Sequence, residues 1–237
     1  MARKIKEFKL LTKDEDHGKI VTNVSGDYNE IDIVFTDLRQ KLSEIRKSGV
    51  QMAIWQRRLS ADLQAWLELL DVACLPDLRI LVGPSDLKSA LGELLNECSM
   101  PDDEMRLAFV EDIDKLVSLF AEITRKEYVD VRLQSIDNDA CWKFHRDTVK
   151  MRLLTTYLGP STEWVNQRDA EEALVNQREY QGLIERFQLH EVGIFKGSEY
   201  DAGNGIVHRS PPVAGTGCTR LLLCLNQPSD ISPDPWI

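Results

Sequence analysis

The chain has 237 residues, 43% of them hydrophobic, and a formal net charge of -10. That length can bury one large core or two modest ones, and an acidic surface repels phosphate backbones, which argues against nucleic-acid binding. Five cysteines at scattered spacings, with no CxxC, exclude a disulfide framework and a zinc knuckle. No apolar run reaches the length of a membrane span, and the opening MARKIKEFKLLTKDEDHGK is too charged for a signal peptide, so a reduced, cytoplasmic protein is expected.

Residues 1 to 25 are polar and aperiodic and are expected to be loosely ordered in part. From Asp37, Leu38, Leu42 and Ile45 recur at helical spacing, and VQMAIWQR (50–57) reads as a short strand. Ser60 is placed to cap a helix whose Leu63, Trp66, Leu67 and Leu70 share one face. LRILVG is a second strand. Pro84-Ser85 opens another helix carrying Leu87, Leu91, Leu94 and Leu95, and a longer one follows Pro101 with Phe109, Ile113, Leu116, Val117 and Phe120 on one side. Residues 1–126 are therefore expected to be mainly helical.

The texture changes near residue 127. YVDVRLQSI alternates, and KMRLLTTYL, EVGIFKG and RLLLCLN read as buried strands. Turn formers punctuate them at Asp137-Asn138-Asp139, Gly159-Pro160, Gly203-Asn204-Gly205, Pro211-Pro212 and Gly215-Thr216-Gly217. Short strands at this spacing suggest a sandwich, barrel or jelly roll over residues 127–237, with a polar helical insertion near 166–188 and an extended tail, QPSDISPDPWI. The fold class is α+β: a helical N-terminal half packed on a C-terminal β domain.

Three of the four histidines, His145, His190 and His208, fall in this β-rich part. In CWKFHRD, His145 and Asp147 share one face if the segment is a strand, because strand side chains alternate. His208 stands at the edge of another strand, and Arg220 opens the last strong one. A lone His-x-Asp is a weak signal. Two imidazoles and a carboxylate together would bind a metal with open positions, as suits a non-haem Fe(II) oxygenase, and an Arg would offer a planar fork to a carboxylate co-substrate.

HRDTVKMRLLTTYL resembles the His-x-Asp strand of the 2-oxoglutarate/Fe(II) dioxygenases, particularly their prolyl-hydroxylase-like branch. HRSPPV…GCTRLLLCLN resembles the distal-His strand of the same superfamily, followed by its co-substrate Arg. The block from Cys141 to Asn226 also resembles an uncharacterised bacterial domain-of-unknown-function family. The first resemblance implies a double-stranded β-helix (jelly roll), with Fe(II) and 2-oxoglutarate as cofactor and co-substrate. It implies His145, Asp147 and His208 as metal ligands and catalytic centre, and Arg220 as partner of the distal 2-oxoglutarate carboxylate. Tyr157, on the odd-numbered face with His145 and Asp147 if the strand is regular, would reach the co-substrate; Arg152 would point away and be structural. The gap from His208 to Arg220 is slightly longer than usual in that superfamily, and Arg209 competes for the anion role.

Plainer readings stand beside these. His145 and Asp147 form a structural pair in the alternative, His208 steadies the glycine turn, and His190 is a satisfied or exposed histidine. Cys141 is more simply a core residue than a soft ligand. Trp142 and Trp164 line a substrate pocket or merely pack, and residues 166–188 form a lid or a solvated helix. As function, an oxygenase acting on a small molecule or a protein side chain is the first expectation. A cupin-like zinc or iron protein of metal homeostasis is the second, and an interaction module is the third. Neither nucleic acid nor membrane is an expected partner, and the oligomeric state is not legible.

Overall fold

Capping and apolar spacing set the elements of the first half. The computed structural model describes residues 32–200 and 205–236, so the loosely ordered stretch expected over residues 1–25 lies outside the described residues. Strand β1 (Asp32–Thr36) has no counterpart among the expected elements; it is short, and parallel pairing to β2 (Val50–Trp55) holds it. Between them, the helix expected from Asp37 is a 3-10 turn over Arg39–Arg46. Leu42 and Ile45, three apart, line its buried edge, while Leu38 is 50% exposed.

Ser60 caps α1 (Ala61–Leu69), its hydroxyl accepting from the Leu63 amide at 3.3 Å. β3 (Leu78–Val82) and α2 (Leu87–Glu97) occupy the segments expected of them. Asp103 caps α3 (Glu104–Thr124), accepting from the Arg106 amide at 2.9 Å, and the helix stops where Arg125 turns left-handed. Its buried stripe carries Phe109, Ile113, Leu116, Val117 and Phe120, the residues that the periodicity picks out.

The four expected late strands are β4 (Val129–Ile136), β6 (Met151–Leu158), β9 (Val192–Lys196) and β11 (Arg220–Asn226). Four more are too short for alternation to reveal: β5 (His145–Arg146), β7 (Glu163–Trp164), β8 (Glu185–Arg186) and β10 (Val207–Arg209). The expected insertion is helical only in part: α4 (Ala170–Asn176) lies between two 3-10 turns.

Among the described residues, these strands make two sheets. One has seven strands in the order β1-β2-β9-β6-β11-β4-β3; the other has four, β5-β10-β7-β8. The boundary expected at residue 126 does not separate sheet from helix, because β1, β2 and β3 join the same sheet as the later strands. Leu221, Leu223 and Leu225 of β11 face one core with the helices, while Leu222 and Cys224 face a second core with Trp164, Phe187 and Ile206 of the small sheet and its flanks. The large sheet is thus covered by helices on one face and by the small sheet on the other. This double covering is why RLLLCLN shows no polar alternation. Gly193 on β9 permits the close approach of the layers, since a Cβ there would collide with the Phe187 ring. The tail expected to be extended turns at Ser229–Ser232, where the Ser232 amide donates to the Ser229 carbonyl at 3.0 Å, and only its end lies along β3, with the Trp236 amide donating to the Leu81 carbonyl at 2.7 Å.

Phe109 couples the helical layer to the sheet, packing edge-on against the Tyr157 ring at 4.8 Å between centroids. Phe109→Ala is expected to destabilise the fold by about 3–5 kcal/mol in urea unfolding, because the close-packed layer leaves a cavity.

Candidate metal centre

Register brings the two imidazoles together. β10 pairs antiparallel with β5, and His208 lies directly opposite His145. The ring centroids are 4.6 Å apart. The pairing continues beyond the strand, where the Ser210 amide donates to the Cys141 carbonyl at 2.9 Å. Asp147 follows immediately after β5, where the chain leaves the small sheet for β6 of the large one. Its carbonyl accepts from the Ser198 amide at 2.9 Å and from the Ser198 hydroxyl at 3.1 Å. Gly197 makes this turn possible, because a Cβ there would lie 2.7 Å from the Asp147 carbonyl oxygen and closer still to that of Val149.

The carboxylate therefore sits between the imidazoles. Asp147 Oδ1 is 3.5 Å from His145 Nε2, and Oδ2 is 3.3 Å from His208 Nε2. One ligand atom from each of the three residues lies within 4.8 Å of the others, a grouping suited to a metal ion. His145 Nδ1 faces the Lys143 carbonyl at 2.8 Å and His208 Nδ1 faces the Ile206 carbonyl at 3.1 Å. A carbonyl only accepts, so each Nδ1 carries the proton and each Nε2 turns a lone pair inward, as in imidazoles that ligate metals. Three acceptors then face one another, and Asp147 Oδ2 is buried without a hydrogen-bond donor. Such a set calls for a cation.

Protons compete with a cation for the same atoms. Burial pushes the Asp147 carboxyl upward, but His208, His145 and Arg152 outweigh it and hold the group ionised, well below the ordinary carboxylate range. Without a cation, a proton on His145 Nε2 facing Asp147 is favoured against the effect of burial, so proton and metal compete for that lone pair. Phe195 of β9 walls the site, its ring 4.8 Å from that of His208.

Arg152 and Tyr157 exchange the places expected of them. The Arg152 guanidinium donates to Asp147 Oδ1 at 2.6 Å and to Asn226 Oδ1 at 2.8 Å. Tyr157 points into the helical core, where its hydroxyl donates to Asp112 Oδ2 at 2.7 Å, beside the bidentate Arg57–Asp112 pair. His145 and Met151 are not on one strand: the chain changes sheets over 147–150, and the face parity resets. Tyr157 therefore cannot serve the site expected of it. His190 lies on that same far side, buried, with Nε2 3.2 Å from the Tyr157 carbonyl.

Arg220 is fully buried at the start of β11. Its guanidinium donates to the Pro160 carbonyl and to Ser210 Oγ, both at 2.7 Å, and to Thr162 Oγ1 at 3.4 Å. All three are neutral oxygens, and burial lowers the guanidinium to about 10. Arg209 differs, since its Nε donates to Glu163 Oε2 at 2.8 Å and its plane covers the Phe144 ring. Cys141 and Cys218 are exposed, and neither joins the ligand group among the described residues.

Arg152, Asn226, Ser210 and Thr162 escape the sequence reading. An arginine inside the apolar MRLLTTYL was the one usable signal, and misjudged parity hid it. Gln177 carried none: its carboxamide pairs with both the Phe144 amide and carbonyl, at 2.8 and 2.9 Å, and so acts as a further partner for edge strand β5. With Ala170 and Ala173 packed beside Phe144, the helix of the 166–188 insertion is docked on the fold and is not the fully solvated helix of the plainer reading.

An acceptor triad with Asp147 and His208 buried and His145 partly exposed, paired with the Arg152 guanidinium, defines the class of a candidate metal-binding β protein with a helical layer. Residues 36–226 match the family described as "Protein of unknown function (DUF1826)", and the chain belongs to that family. No curated protein matches it. Among solved structures, the chain is similar to a Pseudomonas putida prolyl-4-hydroxylase, with 11% identity, a TM-score of 0.42, and 80% of this chain and 99% of that one covered. It is also similar to a full-length Neurospora crassa protein solved in complex with alpha-KG, with 10% identity, a TM-score of 0.41 and 87% of each chain covered. A third is AviO1 from Streptomyces viridochromogenes, with 14% identity, a TM-score of 0.37, and 85% and 99% covered. Among the described residues, no helix is long and apolar enough to cross a membrane.

Tyr157→Phe is expected to leave divalent-metal affinity unchanged while costing about 1.5–3 kcal/mol of stability, the range for a hydrogen bond to a charged group. Isothermal titration with Mn(II) and chemical unfolding check the two halves separately.

Proposed function

We propose that the protein is a non-haem Fe(II)- and 2-oxoglutarate-dependent oxygenase on a double-stranded β-helix, acting on a small molecule or a protein side chain. The observation that carries the reading is the buried Asp147 Oδ2, which no hydrogen-bond donor meets among the described residues and which lies 3.3 Å from His208 Nε2, with His145 Nε2 3.5 Å from the other carboxylate oxygen. Two imidazole nitrogens and one carboxylate oxygen form the donor set that suits Fe(II) while leaving positions open. His145, Asp147 and His208 hold the metal in this reading, through Nε2, Oδ2 and Nε2. Iron bound there supplies the redox chemistry that couples O₂ to oxidation of 2-oxoglutarate and of the substrate.

The remaining work falls to the chain's own residues. Lys143 and Ile206, through their carbonyls, keep both rings in the ligating tautomer. Arg220 receives the distal carboxylate of 2-oxoglutarate. A desolvated guanidinium whose partners are all neutral gains most from an added anion, whereas Arg209 already has its carboxylate in Glu163. Phe195 and the second apolar core keep water from the buried side of the centre.

Anaerobic titration with Fe(II) and then 2-oxoglutarate is expected to produce a weak visible charge-transfer band. Arg220→Ala loses the band but keeps the metal, whereas His208→Ala and Asp147→Ala lose the metal while far-UV circular dichroism stays native. Wild-type protein that takes up no divalent ion, or that holds zinc tightly and ignores 2-oxoglutarate, contradicts the proposal.

A further inference from the structure

Arg152 touches no position offered to a ligand, yet it occupies one of the two oxygens of the metal-facing carboxylate. Its guanidinium is itself held: one nitrogen donates to Asp147 Oδ1 at 2.6 Å and another to Asn226 Oδ1 at 2.8 Å, and the side chain is 17% exposed. Asn226 ends β11 and lies opposite Arg152 in the pairing of β6 with β11, so the large sheet fixes the arginine. Asp147, in contrast, is carried on the loop that leaves the small sheet. The contact thus ties the two layers at the site, and it leaves Oδ2 as the carboxylate's one unengaged atom.

Charge follows from the same contact. With a metal on both Nε2 atoms the imidazoles are neutral and contribute nothing, and Asp147 and Arg152 cancel. A divalent ion therefore enters a neutral pocket, and the loaded centre retains the ion's full double charge. Without the arginine, the carboxylate would neutralise half of it and would be free to turn both oxygens inward. Since like charges a few ångströms apart repel strongly at low dielectric, a cation here opposes the metal while favouring an anion bound to it.

We propose, resting on the metal reading above, that Arg152 is a positioning residue with two effects. It restricts Asp147 to a single ligating oxygen, and it sets the site's charge so that a dianionic chelator, the class to which 2-oxo dicarboxylates belong, is selected as co-ligand. The arginine weakens metal binding and strengthens co-ligand binding. A purely structural arginine would support both or neither.

The test uses Mn(II) as a redox-inert metal and oxalate as the dianionic chelator, on the full chain and its variants. Arg152→Gln is expected to bind Mn(II) about tenfold more tightly and to bind oxalate at the loaded site about tenfold more weakly, opposite shifts from one lost charge. Pulsed electron paramagnetic resonance in ¹⁷O-water is expected to count one fewer water on the metal, as Asp147 turns its second oxygen inward. Arg152→Lys provides the second variant should the first fail to fold. It keeps the charge but cannot bridge Asp147 and Asn226, so both affinities stay near wild type while the water count still falls by one. Both affinities falling together in Arg152→Gln, or an unchanged water count in both variants, overturns the inference while leaving the metal reading intact. Wild type that binds no Mn(II) overturns the metal reading and this inference with it.

Discussion

Three hydrogen-bond acceptors crowded into one largely buried space favour a positive charge among them. At the heart of this protein, the acceptors are the inward nitrogens of His145 and His208 and the free oxygen of Asp147. Lys143 and Ile206 deny the rings the alternative tautomer by offering only carbonyl oxygens to Nδ1. Arg152 meets one carboxylate oxygen and leaves the other. The rest of the molecule can be read as the apparatus that holds this unfinished coordination in place.

The contributors come from both sheets and from the loop between them. The imidazoles belong to paired strands of the small sheet, the carboxylate to the loop that leaves it, and Arg152 and Phe195 to the large sheet. The geometry of the site therefore depends on how the sheets pack, and the apolar core between them, with Phe195, Trp164, Ile206 and Leu222, is a functional element as much as a stabilising one. The helical layer acts at one remove. Phe109 and the Arg57–Asp112–Tyr157 network fix the far face of β6, and through β6 the position of Arg152. On the small sheet's free edge, Gln177 does the equivalent for β5.

What the chain disclosed beforehand depended on how local each feature is. Ser60 and Asp103 cap helices that lie where the apolar periodicity ends, and RLLLCLN is apolar because both its faces are covered. The ligand candidates were legible because histidine is scarce: with four in the chain, a His-x-Asp and a later His stand out. Non-local features were not. β5, β7, β8 and β10 are two or three residues long and exist only through their partners. Face parity from His145 to Tyr157 assumed one continuous strand, and the change of sheet at 147–150 reversed the roles of Tyr157 and Arg152. That Arg209 already has a carboxylate partner in Glu163 while Arg220 meets neutral oxygens was not legible, because only three-dimensional contacts could reveal it.

Anomalous diffraction from a crystal soaked anaerobically in Fe(II), recorded on both sides of the iron absorption edge, tests the central claim most directly. The account predicts a single strong peak bonded to His145 Nε2, His208 Nε2 and one oxygen of Asp147, with the second oxygen still on Arg152. A featureless map at that point, or an ion held elsewhere while the two imidazoles and Asp147 keep their present arrangement, would contradict it.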